Sequence, residues 1–363
     1  MNIAFVTDFY PNTSTGGASN YAFNLTKALS KYVNVSVFIP NVNTKQLGHI
    51  ETDAVHYPID TINMPILRSF SFMYNLSRKI HNSNFDILHS HGGTGAFIKT
   101  VKPLSFVETF HHWPRGLIPT VHGIPMRICL KKADRIIAVS EKSKEEVPLN
   151  FLQKNNIYVV ENGIDDVYFK PLRKNVIDQL RQELHINDGK IILHVNTELS
   201  PRKNLPLMLD TIRYLKANNI DVTLLIIAPR SGEMNVTYQA KDRGILENIK
   251  YIHAGIPQQK MPYYYFIADF LAVPSLQEGF SFPLLETIAT NKPFVSLNIG
   301  IAPKLSEHGF GSVVNSEIEF KEKCLDMALH PLVLSDGRRF VRDNYSWDRC
   351  ARQTLEIYKM MAE

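Results

Sequence analysis

The sequence predicts an α/β protein made of two successive units, each with an open parallel sheet. Short apolar runs rich in β-branched residues alternate with segments of helical periodicity, and the alternation restarts after a break near residues 161–171. The chain has 363 residues, whereas a single core stops growing at roughly 250–300. With 44% hydrophobic and 21% charged residues, it carries enough apolar surface to offset the entropy of ordering, which excludes a disordered protein.

In the first unit, the apolar run at residues 3–7 predicts a buried strand. Apolar side chains at helical spacing predict that a helix follows over residues 20–31. Further strands are predicted at residues 33–39, 86–89 and 135–139, with a helix opening at residues 142–146. Helices between buried strands are the crossovers that a parallel sheet needs.

The second unit repeats this pattern. Its strands are predicted at residues 191–195, 223–227, 251–253, 270–273 and 294–297. Its helices are predicted near residues 204–218, 258–267, 283–291 and 317–329. A final amphipathic helix is predicted over residues 347–361 from apolar side chains at helical spacing.

The Gly, Asn, Asp and Pro cluster E-N-G-I-D-D-V-Y-F-K-P marks the boundary between the units. We expect three segments: an N-terminal domain over residues 1–163, a C-terminal domain over residues 164–345, and a helical segment over residues 346–363.

Charge and cysteine content limit the classes of ligand and the cellular location that we expect for this protein. Forty Lys plus Arg against 35 Asp plus Glu give a formal charge of +5, which allows an anionic ligand, and no nucleic-acid-binding motif appears. Three widely spaced cysteines predict reduced thiols. Without a signal-peptide pattern or a membrane-spanning run, we expect a cytoplasmic protein. Basic and aromatic residues near 70–79, 113–115 and 131–132 leave open a peripheral contact with the inner membrane face, beside the alternative of ordinary solvated surface.

Two adjacent glycines, Gly16 and Gly17, follow the first strand in P-N-T-S-T-G-G-A-S-N. They let the backbone approach a ligand closely at the start of a helix, whose N-terminus attracts phosphate. The G-x-G-x-x-G fingerprint and the Walker P-loop are both absent. The segment is therefore either part of a phosphate site or a plain flexible turn.

Histidines concentrate in two segments, F-D-I-L-H-S-H-G-G and E-T-F-H-H-W-P-R-G-L-I-P-T-V-H-G. His89 and His91 are two residues apart, so on a strand they face the same way, at the end where open α/β sheets bind ligands. No Cys or carboxylate completes a ligand set near them, so no metal is predicted. The second segment contains His111, His112, Trp113 and His122, for which a functional role competes with ordinary polar surface.

The most specific segment is P-S-L-Q-E-G-F-S-F-P-L-L-E-T-I-A, where Glu278 and Glu286 frame seven residues. Gly279, followed by Pro283 at a helix start, predicts a loop that feeds a helix N-terminus. Free amides there suit a diphosphate, and the carboxylates suit sugar hydroxyls. In H-V-N-T-E-L-S-P-R-K-N-L, Arg202 and Lys203 follow a strand and suit phosphate, with a solvated turn as the alternative.

Together these motifs resemble the retaining glycosyltransferases of family 4 (glycosyl transferases group 1), which have the GT-B fold. The resemblance covers nearly the whole chain: the Gly16–Gly17 loop, H-S-H-G, T-F-H, A-D-R-I-I-A-V-S, E-N-G-I-D, the E-x7-E block and the terminal Y-S-W-D occur in the family's order. It implies two Rossmann-like domains facing a central cleft, with the C-terminal helix packing back toward the N-terminal domain.

The resemblance also implies an activity: transfer of a hexose-type sugar, with retention, from a nucleotide-diphosphate sugar to a glycan, lipid-linked or other hydroxyl acceptor. UDP or GDP is the expected nucleotide, and no further cofactor or metal is implied. D-x-D, typical of metal-dependent transferases, is absent. A non-catalytic nucleotide-sugar-binding subunit and an epimerase of the same architecture are the alternatives.

The resemblance also implies roles for individual residues of this chain, assigned from their positions in the shared motifs. Glu286 would bind the donor ribose, Glu278 would lie near the donor hexose, and Lys203 would bind phosphate. Catalytic positions are thus His111, Lys203 and Glu278, with His122 as a rival for the cleft histidine. Donor-binding positions are Gly16, Gly17, Arg202, Lys203, Gly279, Phe280, Ser281 and Glu286. Acceptor-side candidates are His89, His91, His112, Trp113 and His122.

Two departures from the family pattern concern the donor site. The family's G-R-L before the lysine is N-T-E-L here, so Thr197 or Glu198 stands where an arginine is expected, and Arg202 is the candidate substitute. The later G-G-x-x-E becomes G-I-A-P-K, which places Lys304 at or near the glutamate position.

Overall fold

The protein is described here by a computed structural model. It describes residues 1–8, 10, 16–41, 52–62, 65–81, 83–95, 104–113, 119–148, 151, 156–170, 172–186 and 189–362; for residues 65–70, 119–123 and 125 it describes the backbone alone. Contacts divide the chain into two compact units, Met1–Gly163 with Trp347–Glu363, and Ile164–Ser346.

The first unit is a parallel α/β layer structure. Its strands are β1 (Asn2–Thr7), β2 (Asn34–Pro40), β3 (Val55–Ile59), β4 (Ile87–His91), β5 (Ser105–Phe110), β6 (Arg135–Ala138) and β7 (Asn156–Val159). Its helices are α1 (Gly17–Leu29), α2 (Pro65–His81), α3 (Pro119–Lys132), α4 (Glu141–Glu145) and, from the end of the chain, α13 (Trp347–Ala362). The described strands form one sheet in the order β3-β2-β1-β4-β5-β6-β7, with every pair parallel.

The second unit repeats this layout. Its strands are β8 (Lys190–Val195), β9 (Val222–Ala228), β10 (Ile249–His253), β11 (Phe270–Val273), β12 (Phe294–Leu297) and β13 (Gly311–Val314). Its helices are α5 (Lys174–Glu183), α6 (Leu205–Ala217), α7 (Glu233–Asp242), α8 (Met261–Ile267), α9 (Phe282–Ala289), α10 (Ala302–Glu307), α11 (Glu317–Leu329) and α12 (Gly337–Asn344). The sheet order is β10-β9-β8-β11-β12-β13, again parallel throughout the described residues.

The apolar runs form strands because the buried positions of a parallel sheet favour apolar side chains, although β4 and β5 of the first unit also bury His89, His91 and Glu108. Ile192 on β8, Leu224 on β9 and Phe270 on β11 are all fully buried in one core cluster of the second unit. The prediction of two Rossmann-like α/β domains is confirmed.

Helix α13 returns to the first unit and packs against α1. The Tyr358 hydroxyl of α13 bonds to the His89 ring, and the Trp347 and Tyr21 rings meet edge to face at 6.2 Å. In the second unit, the residues beside its two ends are neighbours, because the Ile164 amide donates to the Tyr345 carbonyl at 3.0 Å. The expectation that the C-terminal helix packs back toward the N-terminal domain is confirmed.

Several element bounds differ from the predictions. Helix α1 begins at Gly17 instead of Asn20, and β4 runs two residues past the predicted end, to His91. Residues 105–110, of which only 108–110 were considered and then as part of a histidine-rich segment, form the strand β5, and T-V-H-G lies within the helix α3. Periodicity missed both because Glu108, Thr109 and His122 interrupt their apolar patterns.

Cys129, Cys324 and Cys350 are buried free thiols. Among the helices that the structure describes, none combines the length and the apolar character needed to cross a bilayer.

Candidate functional site

The second unit brings its candidate residues together at the carboxyl ends of β8 and β11. These two strands are neighbours in the sheet although β9 and β10 come between them in sequence. This is the point where the strand order reverses, and ligands of open α/β sheets bind in the crevice there. The two loops that follow these strands touch, because the Leu276 amide donates to the Arg202 carbonyl at 2.8 Å.

An ion pair between Lys203 and Glu278 joins the two loops. The Lys203 ammonium lies 2.5 Å from Oε1 of Glu278, and only 9% and 12% of the two side chains is exposed. Lys203 ends a short 3-10 turn, Pro201–Lys203, and Asn204, in the left-handed region at φ 49°, then turns the chain into α6. This turn directs the lysine inward, next to the loop after β11.

Arg202 lies on the same carboxylate. Its Nη1 is 3.3 Å from Oε2 of Glu278 and donates to the Gln277 carbonyl at 3.1 Å, while its Nε donates to Oε1 of Glu198 at 2.6 Å. The Ser200 hydroxyl also donates to Glu198, at 2.8 Å. Glu198, one of the two residues (with Thr197) that stand where the resemblance implied an arginine, thus binds the candidate substitute Arg202.

Burial and the charges of this cluster shift the pKa values of its titratable side chains. Burial raises the pKa of Glu278, but Lys203 and Arg202 outweigh burial and hold the net pKa below its usual value. Burial lowers the pKa of His194, at the end of β8, to about 4. At neutral pH the site therefore holds an ionised glutamate and a neutral histidine beside two cations.

The loop from Gly279 to Ser281 leads into helix α9. Ser281 is left-handed at φ 76°, and Pro283 lies in the first helical turn. The Phe280 carbonyl accepts a hydrogen bond from the Ile301 amide at 3.1 Å. A Cβ at Gly300 would meet that carbonyl oxygen at 2.3 Å, so the close approach requires glycine. The loops after β11 and β12 are thereby fixed to each other.

Glu286 lies one turn further along α9, among tyrosines. Its Oε2 accepts a hydrogen bond from the Tyr265 hydroxyl on α8, and the Tyr168 ring packs edge to face on the Tyr265 ring. Burial raises the pKa of Glu286 to about 7, although both hydroxyls act to lower it. Sequence reasoning identified Glu286 but neither tyrosine, because nothing in their spacing links positions 168, 265 and 286.

Lys304, at or near the position where the resemblance implied a glutamate, lies over the Tyr345 ring, with Nζ 5.7 Å from the ring centroid. The ring gives the lysine a cation–π contact.

In the first unit, His91 and His111 face each other at the ends of β4 and β5. Their Nε2 atoms are 2.6 Å apart, so the Nε2–H of one ring donates a hydrogen bond to the Nε2 of the other. The Thr7 hydroxyl is 2.8 Å from Nδ1 of His91, and the Tyr21 ring stacks on His91 and meets His111 edge-on. Burial lowers the pKa of His91 to about 3 and that of His111 well below its usual range, so both rings are neutral.

His89 lies inside the first unit rather than at a strand end. Its side chain is fully buried, Nδ1 bonds to the Tyr358 hydroxyl, and Nε2 lies 2.7 Å from the Thr109 hydroxyl. Because β4 extends to His91, residue 89 falls in mid-strand and both of its ring nitrogens are engaged by the protein. The structure therefore corrects the expectation that His89 lies on the acceptor side. Its hydrogen bonds instead join β4 to β5 and α13.

The other candidates of the first unit are spread apart. Trp113 packs on the core beside Phe110, with Arg127 over its ring at 5.2 Å, and its amide donates to Glu146. His112 is partly buried, and Gly16 and Gly17 begin α1, with Gly16 at φ 122°. The loop at residues 11–15 and Arg115 lie outside the described residues, as does the His122 side chain.

Within the described part of the chain, no group of three or more His, Cys, Asp or Glu side chains is arranged to hold a metal ion.

The chain matches two family models and many known proteins. The model described as Glycosyltransferase Family 4 matches residues 15–168, and the model described as Glycosyl transferases group 1 matches residues 176–328. A glycosyltransferase of Methanocaldococcus jannaschii is 22% identical over 390 aligned residues, covering 100% of this chain and 99% of the relative.

Two solved structures show the same fold along their length. Sucrose-phosphate synthase from Thermosynechococcus elongatus has a TM-score of 0.83 at 14% identity, with coverage of 99% of this chain and 98% of that one. The Anabaena protein HepE, in complex with UDP-glucose, has a TM-score of 0.79 at 17% identity, with coverage of 99% and 100%. Because the two family models follow each other along both units, the chain belongs to glycosyltransferase family 4 (glycosyl transferases group 1), with the GT-B fold.

Proposed function

We propose that the protein transfers a hexose from a nucleotide-diphosphate sugar to a hydroxyl acceptor, with retention at the anomeric carbon and without a metal ion. The observation that carries this proposal is the cluster of Lys203, Arg202 and Glu278 at the strand-order reversal of the second sheet. Two cations held in place there suit a diphosphate, and carboxylates suit sugar hydroxyls.

The reaction breaks the bond between the anomeric carbon and the β-phosphate oxygen. The acceptor oxygen forms the new bond from the same face, and its proton passes to the departing diphosphate. Without a metal, cations and helix-terminal amides must stabilise the negative charge that develops on the leaving group. We assign this task to Lys203 and Arg202, with the Gly279–Ser281 loop at the start of α9.

Glu278 keeps Lys203 in place before the donor arrives and then accepts hydrogen bonds from the hexose. Its lowered pKa suits this role, since an ionised carboxylate accepts through both oxygens. Glu286 is assigned to the ribose. The nucleotide is UDP or GDP, and UDP-glucose in the related HepE structure makes it the first donor to test.

We assign the acceptor side to the N-terminal unit, with His111 as its candidate catalytic residue, Gly16 and Gly17 as candidate donor contacts, and a glycan or lipid-linked acceptor. A peripheral membrane contact belongs to the same proposal.

The test is donor turnover by the purified protein. UDP-glucose and GDP-mannose are incubated separately with and without EDTA, and release of the nucleoside diphosphate is measured alongside sugar analysis. We expect slow hydrolysis that survives EDTA and is lost in Lys203→Ala, with the exposed Lys216→Ala as matched control. Turnover unchanged in Lys203→Ala would contradict the assignment, and an epimerised nucleotide sugar as product would indicate an epimerase.

One observation favours a second candidate, a non-catalytic subunit that binds a nucleotide sugar. Arg202 is held by Glu198, whose carboxylate adds negative charge beside the proposed diphosphate position. Donor binding without hydrolysis or transfer, across a panel of donors and acceptors, would support this alternative.

A further inference from the structure

The Glu286 carboxyl lies near hydroxyls from two different elements. Tyr265 on α8 donates to its Oε2, and the hydroxyl of Tyr168, from the 3-10 turn Asp166–Phe169, lies close enough to lower the pKa of the same carboxyl. The two tyrosine rings meet edge to face with centroids 5.9 Å apart. Tyr265 is 0% and Tyr168 3% exposed, so both phenols are fixed by packing.

We propose that Tyr265 and Tyr168 are positioning residues for Glu286: Tyr265 holds its carboxyl by a hydrogen bond, Tyr168 supports Tyr265 through ring packing, and together they keep Glu286 an acceptor for the ribose hydroxyls of the donor. The inference rests on the proposed donor role of Glu286 and extends it to two residues that never need to touch the donor.

Both tyrosine hydroxyls keep their protons and can donate to this carboxyl. Burial raises the pKa of each hydroxyl well above its usual value, so both stay protonated at any physiological pH. A carboxylate that receives such a hydrogen bond is stabilised in its charged form. Burial works in the opposite direction, and the balance leaves the pKa of Glu286 at about 7.

Few other charges act on this carboxyl among the described residues. Asp165, whose Oδ2 accepts from Gln258, raises the pKa of Glu286 through its negative charge. From α12, Arg338 bonds to the Ala289 carbonyl at the far end of α9, and Lys292 lies beyond that end, over the Phe266 ring. The two hydroxyls are therefore the groups that oppose burial.

Donor affinity should consequently depend on pH. An ionised carboxylate accepts hydrogen bonds from both ribose hydroxyls, whereas the protonated form has lost part of this capacity. A group that titrates near 7 is about tenfold more ionised at pH 8 than at pH 6, so affinity should change about tenfold over this range. Removing a tyrosine hydroxyl moves the midpoint to higher pH.

The experiment measures the Kd of UDP-glucose, and of GDP-mannose, by titration calorimetry between pH 5.5 and 8.5. Sugar nucleotides are used because their phosphates do not titrate in this range. The proteins are the wild type, Tyr168→Phe, Tyr265→Phe and Glu286→Gln. Tyr214→Phe, on α6 of the same unit, is the matched control.

We expect the Kd of the wild type and of Tyr214→Phe to fall about tenfold from pH 6 to pH 8, and that of Glu286→Gln to be independent of pH. Tyr168→Phe and Tyr265→Phe should bind several-fold more weakly at pH 7 and approach the wild type at pH 8.5. Equal weakening at every pH, or unchanged midpoints in both variants, would overturn the inference while donor binding stands. Absence of binding of either nucleotide sugar would instead overturn the proposed function itself.

Discussion

The Lys203 ammonium and the Glu278 carboxylate form an ion pair at 2.5 Å that ties the loop after β8 to the loop after β11. Both side chains are largely removed from water, so neither charge is well solvated without the other. The same contact therefore contributes to stability and presents the cation that we assign to the diphosphate.

Replacing Lys203 alone should destabilise the protein. Lys203→Met leaves the Glu278 carboxylate buried and short of its main partner, which typically costs about 3–5 kcal/mol. The double variant Lys203→Met/Glu278→Gln removes both charges and should recover most of this loss. Urea unfolding at pH 7 measures both values, with Lys216→Met as control. Equal stability of the single and double variants would show that the pair carries no such coupling.

Neutralising Glu198 should strengthen donor binding. Glu198→Gln removes the negative charge that holds Arg202 Nε at 2.6 Å and leaves the guanidinium available to the diphosphate. Glu198 is partly exposed, so solvent screens it, and we expect a gain of up to about 1 kcal/mol, or about fivefold in Kd. Calorimetry with UDP-glucose at low and high salt measures this gain, which should shrink with salt. A weaker Kd would indicate that Glu198 positions Arg202 productively.

His111 should affect turnover more than His122. The His111 ring is held by His91 Nε2 at 2.6 Å and by the Tyr21 ring, so it is a fixed neutral group at the end of β5. We expect His111→Ala to lower donor turnover at least about tenfold and His122→Ala to change it less than about twofold. Thermal unfolding of both variants separates lost function from lost folding. The reverse order of effects would make His122 the functional histidine.

Glu108 should make the stability depend on pH. This side chain is fully buried on β5, accepts from the Gly93 amide at 2.9 Å, and its pKa is raised by burial to about 8. The folded protein therefore binds a proton that the unfolded chain releases near pH 4.5. The stabilisation is full below that pH and is lost as the pH rises through about 8.

Glu108→Gln keeps the acceptor oxygen and removes the titration. The free energy of unfolding of the wild type should therefore fall more steeply between pH 6 and pH 9 than that of the variant, which urea unfolding at each pH measures. Parallel curves would mean that Glu108 is already ionised in the folded protein.

In the second unit the sequence predicted the strands β8 to β12 and four of the eight described helices, because apolar runs mark the strands and helices such as α11 have clean helical spacing. It missed the strand β13 and the helices α5, α7, α10 and α12. In the first unit, polar residues on buried strands concealed the pattern. Thr109 and His89 satisfy each other inside the sheet, and neither local propensity nor periodicity reveals a partner 20 residues away.

The residues of the candidate site also differ in how far the sequence alone could predict them. Glu278 and Glu286 are close in sequence and carry a recognisable flank, so they were predicted, and the structure places Lys203 beside Glu278. Tyr168 and Tyr265 come from separate elements that only the fold brings together. The same holds for Tyr358, which reaches His89 across 269 positions of the chain.

The return of α13 to the first unit bears on how the protein is made. A ribosome releases all of the second unit before Trp347, Cys350 and Tyr358 emerge, yet these side chains complete the interior around Tyr21 and His89. Domains usually fold in the order in which they are synthesised. Here the unit that begins first can close only after the other unit has been translated, so a chain that stops before Trp347 would leave the amino-terminal unit incomplete.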